Sequence, residues 1–441
     1  MNHRIWRGAL GGAVLAAALA GCTPDDDVYD ASSNQLTIPA VQIAGTAVVY
    51  TNVVVDIGRA RIVSSGAPAG TRRVNSYNPR TNRLSVPAAL VGQQLYSNVL
   101  LQLGADFRVL SVGAALGAPG SPLPVQPSSY EQKIAAAAAL GPQPMPAEVQ
   151  SGNAVAFADF FQDGSWSMVT HSLEYDARDA ATAGRLGRIR FYRRGDGGWV
   201  DQTSTLLAQD TGCLHPRKAV VADFNGDARP DVFFACHGFD APPFPGEQPV
   251  LLLSQPDGSY ATSRLPFTGF FHGASAADVN GDGFPDLLVA ENMVSHTPHF
   301  LINDGAGHFT QDLTRLPAAL TYKPIFSAEL VDAFGTGRYD AFLAGHESDG
   351  ADALATLFAN DGAGRYVGTR TLVFPRLDGY GYVTDAVFAD GAAYLARTTD
   401  SQASFYTGAA IQKVTLATLA SQALFTHSGP FARSGNWAWG T

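Results

Sequence analysis

An aspartate-rich loop recurs along this chain, each time just ahead of an apolar strand. It reads DFFQDGSWS from Asp159, DFNGDARPD from Asp223, DVNGDGFPD from Asp278 and DAFGTGRYD from Asp332. A further copy, YVTDAVFADGAAYLART around Asp385, lacks the acidic loop and keeps the flanking strands. After the loop each unit continues in the same way. An apolar strand (DVFFACHG, DLLVAEN, DAFLAGHE) leads to a second strand that ends in a glycine turn (FYRRGDGGWV, FLINDGAGHF, LFANDGAGRY), and a last strand starts at that turn's aromatic residue. Four short strands in about 54 residues are the pattern of propeller blades. The expected fold class is therefore all-β, a β-propeller of four-stranded antiparallel blades over residues 151–441. Four motif blades and one degenerate blade are visible. The tail FYTGAAIQKVTLATLASQALFTHSGPFARSGNWAWGT is expected to complete a sixth, with the pieces near Val155 and Trp437 meeting in one blade. Five and seven blades stay open.

Composition agrees. The 46 glycines and 26 prolines are too many for a helical protein and suit short strands joined by turns. Hydrophobic residues at 46% against 15% charged permit a large core and exclude a disordered chain. A net charge of −10 with no basic run argues against a nucleic-acid partner.

The first residues are not expected to belong to the fold. MNHRIWRGALGGAVLAAALAGC carries Arg4 and Arg7, then an apolar run too short to span a bilayer, and reads as an export signal over 1–21. Its end, Leu19-Ala20-Gly21-Cys22, resembles the lipobox of bacterial lipoproteins. That resemblance implies cleavage before Cys22, acylation of its thiol and new amino group, and a firm membrane anchor. By the same family's sorting rule Thr23 favours the outer membrane, facing the periplasm or the outside. Residues 22–28 read as a polar tether.

A second repeat fills 29–113. YDASSNQLTIPAVQIAGTAVVYTNVVVDIGRARIVSSG (29–66) is matched by YNPRTNRLSVPAALVGQQLYSNVLLQLGADFRVLSVG (77–113), with Leu36 opposite Leu84, Pro39 opposite Pro87 and Asn52 opposite Asn98. Alternating apolar residues predict two small β-meanders. They serve as a stalk or as a docking module for another envelope component. Residues 114–150 read as a Pro/Gly/Ser-rich linker, with a short helix over SSYEQKIAAAAALG between the two domains.

The D-x-N-G-D-G-x-x-D motif resembles the FG-GAP/VCBS repeats of integrin α-subunit propellers and of many bacterial surface proteins, over roughly 155–400. The chemistry such a loop implies is calcium binding. Calcium takes six to eight oxygens, and a tight loop presents side chains from positions 1, 3, 5 and 9 and a carbonyl from position 7. In the third blade these are Asp278, Asn280, Asp282, Asp286 and the carbonyl of Phe284. In the second they are Asp223, Asn225, Asp227, Asp231 and the carbonyl of Arg229. The first loop keeps Asp159 and Asp163 but has Phe161 and Ser167 at positions 3 and 9. The fourth keeps Asp332 and Asp340 but has Phe334 and Thr336 at positions 3 and 5. Those two are weaker sites.

Cys213 and Cys236 flank one hairpin of the second blade at the same end, and in an exported chain they are expected to form a disulfide. No G-x-S-x-G, H-E-x-x-H, P-loop or dinucleotide fingerprint is present. One constellation remains. His215, Arg217 and His272 stand at the ends of strands entering the loops, and His237, Glu291, Asn292, His346 and Glu347 at the ends of strands leaving them. All are expected on the face opposite the calcium loops, around one mouth of the axial channel. Two functions follow: a lipid-anchored, calcium-stabilised recognition propeller for a glycan or protein partner, or a secreted polysaccharide lyase or hydrolase with its site on that face.

Overall fold

The computed structural model describes residues 28–30, 32–43, 49–56, 61–64, 68–69, 75–78, 83–91, 94–103, 108–111, 115–117, 127–141, 146, 152–195, 197–227, 229–255, 257–292, 295–348, 350–399 and 407–428. The leader, Cys22, the tether and Trp437 lie outside these. The chain divides into two compact units, residues 1–125 with the short segments 225–228 and 304–308, and the remainder. No helix among the described residues is long and apolar enough to cross a membrane.

The first unit is a single ten-stranded sheet. Each sequence repeat supplies a matching run of strands. The first gives Gln35–Ile43, Val49–Asp56 and Arg61–Ser64, and the second Arg83–Val91, Gln94–Gln102 and Arg108–Ser111. The two runs do not stay separate. Strand Gln35–Ile43 pairs in parallel with Asn75–Asn78, which joins both repeats into one sheet. Ile38, Val53, Val55, Leu84 and Leu101 are buried on it.

The second unit contains five four-stranded antiparallel sheets, each made of four consecutive strands. Of the expected counts, six with five or seven left open, five is the number among the described residues. The innermost strands are Gly152–Ala158, Pro216–Ala222, Phe271–Ala277, Ile325–Val331 and Tyr382–Ala389. Among the described residues, the C-terminal segment adds no further blade. Gly408–Thr415 and Ser421–Ser428 are the outer two strands of blade 5. Blade 1 likewise draws all four of its strands from 152–201, so Val155 sits in a blade complete without the tail. The fifth copy is also shifted. Asp385 lies inside the innermost strand, and the turn falls at Asp390-Gly391.

The core lies between blades. Phe191 and Val169 of blade 1 pack with Val221, Phe234 and Leu252 of blade 2. Blades 3 and 4 share Leu288, Phe300, Leu330 and Leu343. Polar stitches repeat beside this core. The Asn303 side chain donates to Phe224 O at 2.9 Å, and Asn360 repeats the contact one blade on, donating to Val279 O at 2.9 Å. The asparagine of the N-D-G-A-G turns thus ties blades 3 and 4 each to the loop of the blade before.

The helix expected in the linker belongs to the propeller unit. It spans Ser129–Leu140 and packs against the innermost strands of blades 1 to 4. It reaches blade 5 through Lys133–Asp385 and through the Tyr130 hydroxyl, which donates to Phe388 O at 3.0 Å. Contact with all five innermost strands places it on the propeller axis. Its start is a capping box. Ser128 Oγ accepts from Glu131 N, and Ser128 N donates to Glu131 Oε2. The alanines that follow combine high helix propensity with the small girth an axial channel admits.

Candidate functional site at the channel mouth

Every innermost strand carries an irregularity at the same place. The register shifts between Gly152 and Ala154, Pro216 and Lys218, Phe271 and Gly273, Ile325 and Ser327, and Val383 and Asp385. A bulge of this kind re-aims the extra residue's side chain. The residues singled out in blades 2 to 5 are Arg217, His272, Phe326 and Thr384. All four line one pocket, with Lys218, Ser327 and Tyr382. A constant offset connects them to the acidic motif. Arg217, His272 and Phe326 each precede the first loop aspartate, at 223, 278 and 332, by six residues, and Thr384 precedes Asp390 by the same distance.

Aromatic contacts run across the mouth from blade to blade. The His215 and His237 rings lie 3.9 Å apart, His237 and His272 4.8 Å, His272 and Phe326 4.5 Å, and Phe326 and Tyr382 4.4 Å. Phe270 stacks on His237 at 3.8 Å. Burial, reinforced by neighbouring histidines and Arg217, holds the pKa values of His215, His237 and His272 well below the ordinary range, so all three are neutral. His215 pairs with the Tyr175 hydroxyl at 2.8 Å, and burial pushes that hydroxyl up to about 12. Asn292 supports His272 at 3.0 Å.

The expected set of eight therefore divides. His215, Arg217, His237 and His272 come together. Glu347 is turned inward and forms a fully buried ion pair with Arg397, 2.7 Å. Glu291 caps its neighbourhood by accepting from Phe270 N and from Ser295 N and Oγ. His346 bridges to Tyr382 with rings 5.6 Å apart. Tyr175, Phe326, Tyr382, Thr384 and Asp240 were not evident from sequence. Counting back from the loop aspartates would have found Phe326.

Below the mouth lies a buried charge network. Lys218 Nζ contacts Glu329 Oε1 at 2.6 Å, and Lys133 of the axial helix contacts the same oxygen at 2.9 Å and Asp385 at 3.0 Å. Burial alone would raise the Glu329 carboxyl, but the two lysines hold it below the usual range.

At the other ends of the strands are the acidic loops. In blade 3 the Asp278 carboxylate accepts from the backbone N–H groups of Gly281, Asp282 and Gly283, and Asp282 accepts from Phe284 N. Gly281 and Gly283 have φ of 77° and 90°, a conformation that a side chain opposes. Asp286 is fully buried. Its Oδ1 accepts from Asn303 N at 2.9 Å, while Oδ2 has no hydrogen-bond partner among the described residues. Burial, then the carboxylates of Asp282 and Asp278, raises its pKa well above the ordinary value. An orphaned buried carboxylate oxygen in an all-oxygen donor set fits a hard cation.

The other loops differ. Asp340 spends both oxygens on backbone N–H groups, those of Asn360, Ala333 and Phe334, and burial raises it to about 6. Asp332 accepts from Thr336 N and Gly337 N. In blade 1 Asp163 is ion-paired to Arg193 at 2.8 Å, and Asp159 accepts from Asp163 N and Gly164 N. In blade 2 Asp231 accepts from Phe224 N and Ser254 N, each at 2.7 Å, Asn225 accepts from Asp227 N, and the Arg229 side chain donates to Gln255 O. The clusters of three His, Cys, Asp or Glu ligand atoms among the described residues are Cys213–Cys236–Glu247 and His215–His237–Asp240, and the loop carboxylates form none. Cys213 and Cys236 are joined in a disulfide with Cα atoms 6.2 Å apart, as their hairpin predicts.

Among known families, the one described as FG-GAP repeat matches residues 270–306, the greater part of blade 3. No curated protein matches the chain. Solved structures that resemble it include a Bacteroides uniformis protein described as a 6-phosphogluconolactonase, with 12% identity and a TM-score of 0.39, covering 77% of this chain and 80% of that one. A Lactobacillus plantarum protein has 11% identity and a TM-score of 0.34, covering 88% and 94%. The Dos1 propeller has 7% identity and a TM-score of 0.35, covering 91% and 83%.

Proposed function

We propose that the protein is a recognition module that holds an acidic group of a glycan or protein partner at the mouth of its propeller channel. The observation that carries this reading is the pocket itself. Blades 2 to 5 supply a guanidinium, a neutral imidazole, two aromatic rings and a hydroxyl from Arg217, His272, Phe326, Tyr382 and Thr384. A planar guanidinium suits a carboxylate or sulfate, and aromatic rings suit the apolar face of a sugar or side chain. Hydrolysis or elimination on a polysaccharide commonly needs a carboxylate acid or base with access to the substrate. The two glutamates at this mouth, Glu291 and Glu347, are instead committed to backbone donors and to Arg397. Neither of these two is available to a substrate, so we put binding first.

Two further elements complete the proposal. Calcium stabilises the blade 3 loop through Asp278, Asn280, Asp282, Asp286 and the Phe284 carbonyl, supported by the orphaned Asp286 Oδ2. A lipid on Cys22 holds the protein at the outer membrane, supported by the Leu-Ala-Gly-Cys sequence. The test is to expose immobilised full-length protein to acidic and neutral glycans and to analyse both what is retained and what is released. Retention of intact acidic glycan is the expected result. New reducing ends or unsaturated products would replace this reading with an enzymatic one.

A further inference from the structure

Beside the mouth, blade 2 assembles a second kind of site. One ligand atom each from His215, His237 and Asp240 lies within 4.8 Å of the other two. The hydrogen bonds sort the ring nitrogens. His237 Nδ1 lies 3.1 Å from Gly238 O, which only accepts, so Nδ1 carries the proton and Nε2 presents a lone pair. That Nε2 is 3.9 Å from Asp240 Oδ1. Arg217 Nη1, which only donates, lies 3.4 Å from His215 Nε2. His215 Nε2 is therefore the acceptor, and its Nδ1 donates to Tyr175 Oη. Each ring keeps an unprotonated Nε2, and each has an oxygen behind its Nδ1. That backing is what fixes histidines that bind metals.

We propose that His215 Nε2, His237 Nε2 and a carboxylate oxygen of Asp240 bind a divalent transition metal of the zinc type, with one coordination position left open beside Arg217. Two imidazoles and a carboxylate are zinc ligands, whereas calcium prefers oxygen throughout. Three protein ligands with an open fourth position distinguish a working metal site from a structural one. Ligands at about 2.0–2.2 Å from a tetrahedral metal sit roughly 3.4 Å apart, so the triad has to contract. Asp240, with its side chain 49% exposed, is the arm that moves. The histidines are held. The Cys213–Cys236 disulfide joins the two strand ends beside them, His237 N donates to His215 O at 2.9 Å, and Phe270 stacks on His237. Metal at His215 Nε2 displaces the Arg217 contact. The guanidinium, beside His215, suits an anionic fourth ligand. The site uses none of the calcium-loop residues and stands whether or not the pocket binds a glycan.

The test uses the full-length protein with its disulfide intact, stripped with chelator and then saturated with calcium. Zinc is titrated by calorimetry, and cobalt is followed by its visible absorption. One zinc per chain, and a cobalt spectrum of a four-coordinate site that zinc abolishes, are expected. His237→Ala removes the site. Asp240→Ala, at a half-exposed position, lowers zinc affinity about tenfold or more, and Tyr175→Phe, which removes the oxygen that backs His215 and also accepts from Asp240 N, does so by about tenfold. The proposal is overturned if no zinc binds in the presence of calcium. It is equally overturned if zinc binds only after the disulfide is reduced, or if folded Asp240→Ala binds zinc as tightly as the parent.

Discussion

Lys133 Nζ lies 2.9 Å from Glu329 Oε1, and this contact joins the axial helix to the innermost strand of blade 4. Glu329 is 1% exposed and also receives Lys218 at 2.6 Å. One carboxylate therefore compensates two ammonium groups removed from water, with Asp385 assisting at Lys133. Neutralising it leaves buried cations without an adequate partner. Glu329→Gln is expected to lower unfolding free energy by about 3–5 kcal/mol, the cost of breaking a buried pair from one side. Chemical denaturation of the full-length protein measures it. A loss within the range of an exposed ion pair, about 1 kcal/mol or less, would show that the helix is not anchored through this network.

His171 gives the propeller a pH dependence. Its ring is fully buried, its Nε2 accepts from Cys213 N at 2.8 Å, and its Nδ1 donates to Ser172 O at 3.0 Å. Burial lowers its pKa to about 4. The folded state thus holds the ring neutral while the unfolded chain protonates it near its ordinary value. Protons bind preferentially to the unfolded state, so stability is full above about pH 6.5 and falls by roughly 1.4 kcal/mol per pH unit below it, until the folded ring also titrates. Asp340, raised to about 6, acts in the opposite sense. Comparing His171→Gln with the parent isolates the histidine. The parent's stability relative to the variant's should fall by roughly 1.4 kcal/mol per pH unit from pH 6.5 to 4.5, and parallel profiles would contradict the assignment.

Calcium should act through blade 3 rather than blade 4. Asp286 has an oxygen without a hydrogen-bond partner among the described residues, whereas both oxygens of Asp340 are taken by backbone donors. A ligand bound only by the folded state stabilises it by about 2.7 kcal/mol at a hundredfold excess over its dissociation constant. Calcium should therefore raise the melting temperature of chelator-treated protein, and magnesium should do so poorly because it demands a smaller octahedral shell. Asp286→Asn should remove most of the calcium response and Asp340→Asn little of it. Equal loss in both variants would place calcium in blade 4 as well, and no response in the parent would make these loops simple turns.

The propeller was legible in the sequence because its blades repeat two local codes. Asp278 through Asp286 fold back on their own backbone, and the Gly305 and Gly362 turns share the sequence Asn-Asp-Gly-Ala-Gly. Both are read within a dozen residues. Blade number was less legible. Gly408–Thr415 and Ser421–Ser428 carry no acidic motif, so nothing local distinguishes the outer half of blade 5 from a sixth blade. The helix was found but misplaced, because an alanine-rich segment carries little record of its surroundings. The partners that seat it, Glu329 and Asp385, lie 196 and 252 residues away in the chain. At the mouth, His215, Arg217, His237 and His272 stood out by residue type. Phe326 and Tyr382 did not, since an aromatic residue at the start of a strand ordinarily reads as core.

The most direct test of the recognition account is the affinity of Arg217→Ala for an acidic glycan retained by the parent, measured by calorimetry with calcium present. Arg217 lines the pocket with the side chains of three other blades. Losing one charge-assisted hydrogen-bonding group of about 1.5–3 kcal/mol predicts roughly 10- to 100-fold weaker binding with an unchanged melting temperature. Undiminished affinity in the folded variant would place recognition elsewhere and contradict the account.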